Sequence, residues 1–299
     1  MSAGNNSSSS HNKLDDIIAL SLLLPLTIAG LFVYILFIIV VVKHVDLRRN
    51  PYYILATVLG LCDSLTLLCF LLYCPPCIIT LRQVGGQYVS KVFGAIIAGC
   101  WYASMPLISA LAVNRYYCVC RHDVYDVSFS PCRTILAVIL SCSYGLAYFV
   151  AGIFPCCDFL FLPEDYSWQW TVTKFGGLFI TQTEMGITSI VVLISSICNI
   201  CVFRFYKKQH NEISVDSLNA RQERIHRERE FKLFIQFFII ALWMTFFDLM
   251  FVLVPFIPTT KWLYLWVTLM YVIHCSINGW VYLTMNKCVR KRIFGLLGW

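Results

Sequence analysis

Charged side chains are scarce in this chain. Only 13% of its 299 residues are Asp, Glu, Lys or Arg, whereas 59% are hydrophobic. A soluble domain carries about 25% charged and about 45–50% apolar residues. Two long stretches, Ile17–Val42 and Thr134–Phe154, contain no charged residue at all. This composition leaves too little polar surface for a water-soluble globule and indicates a protein that is solvated by lipid.

Sequence signals of membrane enzymes and transporters are missing as well. Only one of the six histidines, His274, falls in an apolar stretch, and no His-Glu-x-x-His sequence occurs, which argues against an intramembrane zinc enzyme. No inverted repeat and no matched pair of Gly- or Pro-broken helices, as found in transporters, is visible. We therefore expect no catalytic site and no metal site, and a membrane transporter remains the alternative of a different class.

Seven apolar segments are long enough to cross a bilayer. A helix needs about 20 residues to span ~30 Å of hydrocarbon, and helices satisfy their own backbone hydrogen bonds in lipid. The sequence therefore predicts an all-α membrane protein whose bundle of seven transmembrane helices occupies residues 17–286. The predicted spans are Ile17–Val42, Tyr52–Cys74, Val92–Val119, Thr134–Phe154, Phe175–Phe203, Leu233–Ile257 and Trp262–Asn286.

The Lys and Arg residues predict the direction of the spans. Of the 23 in the chain, 18 fall in the tail or in connections at one end of the spans, and basic connections stay in the cytoplasm. Residues 1–16 are therefore expected to be an extracellular tail without a cleavable signal peptide, with Asn5 and Asn6 as overlapping glycosylation candidates. Residues 287–299 are expected to form a short amphipathic cytoplasmic helix, in which Cys288 is a palmitoylation candidate.

Polar residues inside the spans should face the bundle interior, because each ionisable one costs at least ~2.5 kcal/mol in lipid. Helical spacing brings Asp63, Ser104 and Asn278 to a similar depth in three spans. A carboxylate, a hydroxyl and an amide at one depth are expected to bind water or a sodium ion. The alternative is a polar patch that only holds the helices together.

Several short motifs resemble those of rhodopsin-like G-protein-coupled receptors. Asn114-Arg115-Tyr116 is similar to their Asp-Arg-Tyr motif, and Asn278-Gly-Trp-Val-Tyr282 is similar to their Asn-Pro-x-x-Tyr motif. Asp63 sits where they carry the aspartate of the second helix. The resemblance implies that Asn114, Arg115, Tyr116, Asn278 and Tyr282 take part in activation and G-protein coupling.

A closer resemblance is to the nematode serpentine receptors of class X, which are chemosensory receptors. Ser109–Cys118 resembles the end of that family's third helix, Cys157–Trp168 its outer loop and His274–Asn286 its seventh helix. This resemblance extends from about Gly30 to Arg292. It implies a chemosensory receptor of the plasma membrane, in sensory cilia; a neuropeptide or amine receptor is the alternative.

The chain departs from the receptor pattern at several points. No proline follows Asn278, and no cysteine stands near Ser90, where such receptors begin the outer disulfide. The resemblance therefore leaves Cys74 or Cys77 to pair with Cys156 or Cys157 at the oxidising face, with free thiols or a bond within the loop as alternatives.

The mechanism implied by the resemblance is a ligand-driven population shift. An external small molecule would bind within the bundle, and the inner ends of the fifth and sixth helices would separate to admit a Gα subunit of a heterotrimeric G protein. At rest, Arg115 would pair with an acid near the sixth helix. The candidates for that acid are Glu223, Glu228 and Glu230, and those for the ligand pocket are Trp101, Glu184, Asp248, Tyr271 and His274.

Overall fold

The protein was analysed as a computed structural model. It describes residues 12–155, 157–171, 175–211, 260–296 and, between 235 and 258, residues 235, 238–239, 242–243, 245–247, 249–250 and 257–258. The glycosylation candidates Asn5 and Asn6, the acids Glu223, Glu228 and Glu230, and Cys156 and Asp248 lie outside the described residues.

Long helices occupy the predicted spans. The first five and the seventh run over Lys13–Lys43, Pro51–Thr80, Gly86–Cys120, Pro131–Ile153, Phe175–Asn211 and Lys261–Met285. The described residues between 235 and 250, in the sixth span, are also helical. Among the described residues, five helices combine the length and hydropathy needed to cross a membrane, namely those of the first five spans. The seventh is long enough, but its Trp, Tyr and polar residues make it less apolar.

The second helix is longer than the sequence indicates. We expect a helix to end before Pro75-Pro76, because proline disfavours helical backbone in the residue before it. The observed helix continues through both prolines to Thr80 and ends at Leu81, whose φ of 54° is left-handed. Both prolines lie inside the packed bundle, where tertiary contacts outweigh this local preference.

The third span lies at the centre of the bundle. It packs against the second, fourth and fifth spans, whereas the first packs against the second and seventh. Small residues allow the third and fourth spans to approach closely. A Cβ atom on Gly145 would lie 2.4 Å from the carbonyl oxygen of Gly99. Such contacts between small residues are typical of membrane helices, whose association gains nothing from hydrophobic burial.

A β-hairpin covers the outer end of the bundle. Strand β1 (Phe159–Leu162) pairs antiparallel with β2 (Ser167–Trp170), with Phe159 opposite Trp170 and Leu162 opposite Ser167. Tyr166 occupies the left-handed region at φ 54° in the tight connection. The rings of Phe161 and Tyr166 are almost completely buried. The sequence comparison identified this region only as an outer loop.

Short helices lie at the inner end. They comprise Val45–Arg48, the 3-10 turn His122–Val124, Tyr125–Ser128 and the tail helix Lys287–Leu296. The Oδ1 atom of Asn286 caps the tail helix by accepting hydrogen bonds from the amides of Cys288 and Val289 at 3.1 and 3.2 Å. Val289 and Ile293 are buried against the bundle, whereas Lys287 and Lys291 are exposed. The predicted amphipathic helix is therefore present.

Candidate functional site

A polar core joins the first, second and seventh spans. The Tyr34 hydroxyl donates a hydrogen bond of 2.5 Å to Oδ2 of Asp63, and the Asn278 amide lies within reach of the same carboxylate. All three side chains are buried. The Tyr34 ring fits between two helices because Gly60 and Gly279 face it, and a Cβ atom on either would lie 3.1–3.4 Å from the ring. The core therefore satisfies a buried carboxylate from two neighbouring helices.

Ser104, the third residue predicted for this core, has other partners. Its hydroxyl donates to the carbonyl oxygen of Cys100 at 2.8 Å, and the Cys62 thiol is close to it. Among the described residues, Asp63 and Asn278 come together as predicted, but Tyr34 supplies the hydroxyl contact to Asp63. Tyr34 was missed because a tyrosine in an apolar run carries no distinctive sequence signal.

An aromatic cluster lies between the third, sixth and seventh spans. His274 stacks on Phe247 with ring centroids 4.9 Å apart, and Trp101 meets His274 at 5.3 Å and Tyr271 at 5.4 Å. His274 and Trp101 are 4% and 9% exposed. The indole Nε1 of Trp101 and Nδ1 of His274 have no hydrogen-bond partner among the described residues. Buried polar atoms are normally paired, so these two atoms are exceptions among the described residues.

Glu184 lies beside the aromatic cluster, close enough to Tyr271 to act on its hydroxyl electrostatically. Its carboxylate is close to the hydroxyl of Tyr102, whose ring stacks on Tyr148 of the fourth span at a centroid distance of 3.5 Å. The structure therefore groups three of the five pocket candidates, Trp101, Tyr271 and His274, in the aromatic cluster and directs Glu184 toward tyrosines. Phe247 joins the cluster without having been predicted, because phenylalanines are numerous in every span.

The motif at the inner end of the third span has two sets of contacts. The buried Asn114 amide donates to the Tyr125 hydroxyl at 3.2 Å, which ties the helix end to the second inner loop. The Arg115 guanidinium lies close enough to Tyr52 and Tyr282 to interact with both electrostatically. Tyr116 packs edge-on against Tyr117 at 5.6 Å. Three spans therefore converge around Arg115.

The roof of the bundle is made by the hairpin. Trp168 packs against Tyr73 at 5.5 Å and against Phe70 at 6.4 Å, and Phe70 in turn meets Tyr271 of the aromatic cluster at 5.7 Å. The buried hydroxyl of Thr268 donates to the carbonyl oxygen of Tyr166 at 2.9 Å. The hairpin is thus attached to the second and seventh spans directly above the cluster.

The disulfide expected at this end is not formed by Cys74 or Cys77. Both residues are completely buried and carry free thiols, and the Cys77 sulfur accepts a hydrogen bond from the amide of Val84 at 3.3 Å. Cys157 is likewise not joined to either of them, which corresponds to the free-thiol alternative for Cys74 and Cys77. Within the described residues there is also no group of three or more His, Cys, Asp or Glu side chains that could hold a metal ion.

Comparison with known proteins agrees with this architecture. The structure is similar to the crystal structure of squid rhodopsin, with a TM-score of 0.76 at 14% identity, covering 99% of this chain and 90% of that one. No curated protein sequence matches the chain. Residues 24–286 match the family described as the serpentine type 7TM GPCR chemoreceptor Srx. That match covers most of the chain, and the protein therefore belongs to the Srx family of seven-transmembrane, G-protein-coupled chemoreceptors, which are receptors rather than enzymes.

Proposed function

We propose that this receptor sits in the plasma membrane of sensory cilia and responds to a small organic molecule that reaches it from outside. The aromatic cluster carries this proposal, because its four rings include two buried nitrogen atoms that have no hydrogen-bond partner among the described residues. Binding sites for small molecules are mostly apolar, with a few polar groups that fix the orientation of the ligand. The ligand lies between the third, sixth and seventh spans, below the hairpin.

The chemistry of the cluster favours an uncharged ligand with a flat apolar body. Its rings offer stacking surfaces, and the Trp101 N–H is available to donate a hydrogen bond to the ligand. The carboxylate of Glu184 is already close to Tyr102. Among the described residues no acid belongs to the cluster itself, and Glu184, which acts on Tyr271 electrostatically, is held by the Tyr102 hydroxyl. An amine receptor, the alternative function, would act through Glu184 or Asp248, the two acidic candidates.

Signal transfer to the G protein is proposed to run along the seventh span. Tyr282 stacks on Phe37 at 4.8 Å and lies close to Arg115 at the inner end. Ligand binding favours a state in which the sixth span moves outward, and Arg115 then faces the opening that receives the Gα subunit. Moving this equilibrium from 1% to 99% active requires about 5.5 kcal/mol of differential affinity.

A sodium ion near Asp63 is proposed as a modulator of the resting state. Hard cations take oxygen ligands, and the carboxylate of Asp63, the amide of Asn278 and the hydroxyl of Tyr34 gather such atoms in one buried place. Basal nucleotide exchange should then fall as NaCl replaces choline chloride, and Asp63→Asn should abolish that response. Equal exchange in both salts would remove sodium from the proposal.

The ligand site is tested by screening organic molecules on cells that express the receptor with a calcium or cAMP reporter. For an active compound, Trp101→Phe should lower potency at least about tenfold, which corresponds to about 1.4 kcal/mol. Trp280→Phe is the matched control, because Trp280 lies in the seventh span with 41% of its surface exposed. If both variants respond like the wild type, the ligand binds elsewhere.

The role of Arg115 is tested separately, with nucleotide exchange on purified Gα. Arg115→Ala should cut ligand-stimulated exchange by at least about tenfold while binding of the same ligand is retained, since Arg115 lies at the inner end. Arg121→Ala, just beyond the end of the same helix and in an exposed ion pair with Asp123, is the control. Unaltered exchange in Arg115→Ala would refute the coupling role.

A further inference from the structure

The outer hairpin meets the third span through a close backbone contact. The amide of Phe161 donates to Oγ of Ser90 at 3.1 Å, and both residues are completely buried. One turn further along the helix, a Cβ atom on Gly94 would lie 1.9 Å from the carbonyl oxygen of Phe159. Only glycine lets β1 come this near, so the sequence of the helix is adapted to holding the strand.

A buried ion pair lies beside this contact. Nζ of Lys91 is 2.6 Å from Oδ1 of Asp158 and donates a hydrogen bond of 2.6 Å to the carbonyl oxygen of Phe154. The two charged side chains are only 12% and 6% exposed. Removing one member of such a pair leaves the other charge buried without compensation, which is strongly destabilising. The pair therefore fixes the chain just before β1 to the outer end of the third span.

No cysteine of the third span is placed to attach the hairpin by a disulfide. The first cysteine of that helix is Cys100, ten residues beyond Ser90 and roughly 15 Å deeper along the helix axis. Cys74 and Cys77 of the second span have free thiols. Among the described residues, the third span and the hairpin are connected by hydrogen bonds, by the Lys91–Asp158 ion pair and by apolar packing.

We propose that Ser90, Lys91 and Asp158 form a non-covalent clamp that positions the hairpin as the roof of the helix bundle. The clamp acts on the cluster indirectly, because the hairpin residue Trp168 touches Phe70 and Phe70 touches Tyr271. All three members are positioning residues. The roof is consequently insensitive to reducing agents and sensitive to the loss of either charge. This inference concerns how the hairpin is held on the bundle and does not depend on which ligand binds.

The test uses the full-length receptor purified in detergent and needs no ligand. Hydrogen–deuterium exchange of peptides covering residues 157–171 reports on the hairpin. Labelling of Cys74 and Cys77 by a maleimide, read by mass spectrometry, reports on the cover that the hairpin provides. The variants are Ser90→Ala, Lys91→Met, Asp158→Asn and the Lys91→Met/Asp158→Asn double variant. Arg292→Met is the control, because Arg292 pairs with Asp46 at the inner end of the bundle, away from the hairpin.

Lys91→Met and Asp158→Asn should each speed hairpin exchange and thiol labelling by at least about tenfold, and the double variant should fall short of the product of the two. Ser90→Ala, which keeps both charges, should raise hairpin exchange severalfold. Arg292→Met should leave both readouts unchanged, as should treatment of the wild type with a phosphine reductant. Wild-type protection that collapses on reduction would overturn the proposal, as would Ser90→Ala and Lys91→Met that both behave like the wild type.

Discussion

Two residues of the first span fit against the seventh with almost no free space. Gly30 faces Ser276, and Tyr34 passes between Gly60 and Gly279 to reach Asp63. Interiors this tight respond to a single added methyl group or a single lost hydroxyl. Gly30→Ala adds such a methyl group and Tyr34→Phe removes such a hydroxyl, and each has a matched control elsewhere in the bundle.

Gly30→Ala should destabilise the receptor by about 1–3 kcal/mol, as overpacked cores do. The added Cβ atom would lie 2.2 Å from Oγ of Ser276, so either the serine hydroxyl must leave its 2.7 Å hydrogen bond to Val272 or the helices must separate. Gly186→Ala is the control: nothing lies within 4 Å of that Cβ position, and alanine there favours the helix by about 0.5–1 kcal/mol. Thermal unfolding followed with a thiol-reactive dye measures both. A Gly30→Ala receptor as stable as the wild type would contradict the observed helix contact.

Tyr34→Phe should cost about 1–3 kcal/mol, because it leaves the buried Asp63 carboxylate without its 2.5 Å hydrogen bond. Tyr144→Phe is the control, since that hydroxyl makes only a 3.3 Å contact with Tyr148 and the side chain is partly exposed. The same dye assay reports stability, and basal nucleotide exchange reports on the resting state. Equal losses in the two variants would show that Tyr34 is not specifically coupled to Asp63.

At the scale of whole elements, hydropathy predicted the six helices whose bounds the structure describes. Most of the predicted ends lie within a few residues of the observed ends. The first helix is typical, with Ile17–Val42 predicted and Lys13–Lys43 observed. Length and the lack of charge suffice for this, because lipid imposes a nearly uniform requirement on every crossing. The second helix ran past its prolines because packing, which a single sequence does not display, decided where it ends.

The hairpin and the aromatic cluster depended on tertiary contacts. Phe159–Leu162 is uniformly apolar and shows no alternation in polarity. The position of the hairpin is fixed by contacts with Ser90, Gly94 and Thr268 on two distant helices. Phe247 and Phe70 were indistinguishable by sequence from the other phenylalanines of the spans. In contrast, Trp101 and His274 were identifiable, since each is the one Trp or His of its predicted span and lies near the middle of it.

The tail helix should be held by one ion pair. Arg292 donates hydrogen bonds of 3.0 and 2.6 Å to the two carboxylate oxygens of Asp46. Arg292→Ala should therefore increase hydrogen–deuterium exchange in residues 287–296, whereas Lys291→Ala, an exposed neighbour, should not. If the two variants exchange alike, burial of Val289 and Ile293 alone holds the helix.

The same contact has a definite pH dependence. Hydrogen bonding to Arg292 lowers the pKa of the Asp46 carboxyl, and the pKa of Arg292 is raised in turn. A lowered folded-state pKa gives stability that is present above the ordinary value of about 3.9 and is lost as the pH falls through the lowered value. Exchange of the tail helix, corrected for the intrinsic effect of pH, should therefore be constant from pH 7 to pH 5. An increase within that range would show that another group controls docking.

At the scale of the whole molecule, the seventh span connects the outer pocket to the inner end. His274 lies in the aromatic cluster, Asn278 beside Asp63, and Tyr282 beside Arg115. These residues recur every four positions, so they share one face of the helix over roughly 12 Å. A small shift of this one helix would change all three places together, which suits a two-state receptor.

The orientation of the whole chain yields the last prediction. With seven crossings and most Lys and Arg at one end, Met1 should lie outside the cell and Trp299 inside. An epitope tag at Met1 should bind antibody on intact cells, whereas the same tag at Trp299 should need permeabilised membranes. Replacing both Asn5 and Asn6 with Gln should remove any glycan-dependent shift in gel mobility. Because glycans are added on the extracellular side, this shift shows without a tag on which side of the membrane the N-terminal tail lies. Equal accessibility of the two tags on intact cells would mean an even number of crossings, and Arg115 would then be on the wrong side to meet a G protein.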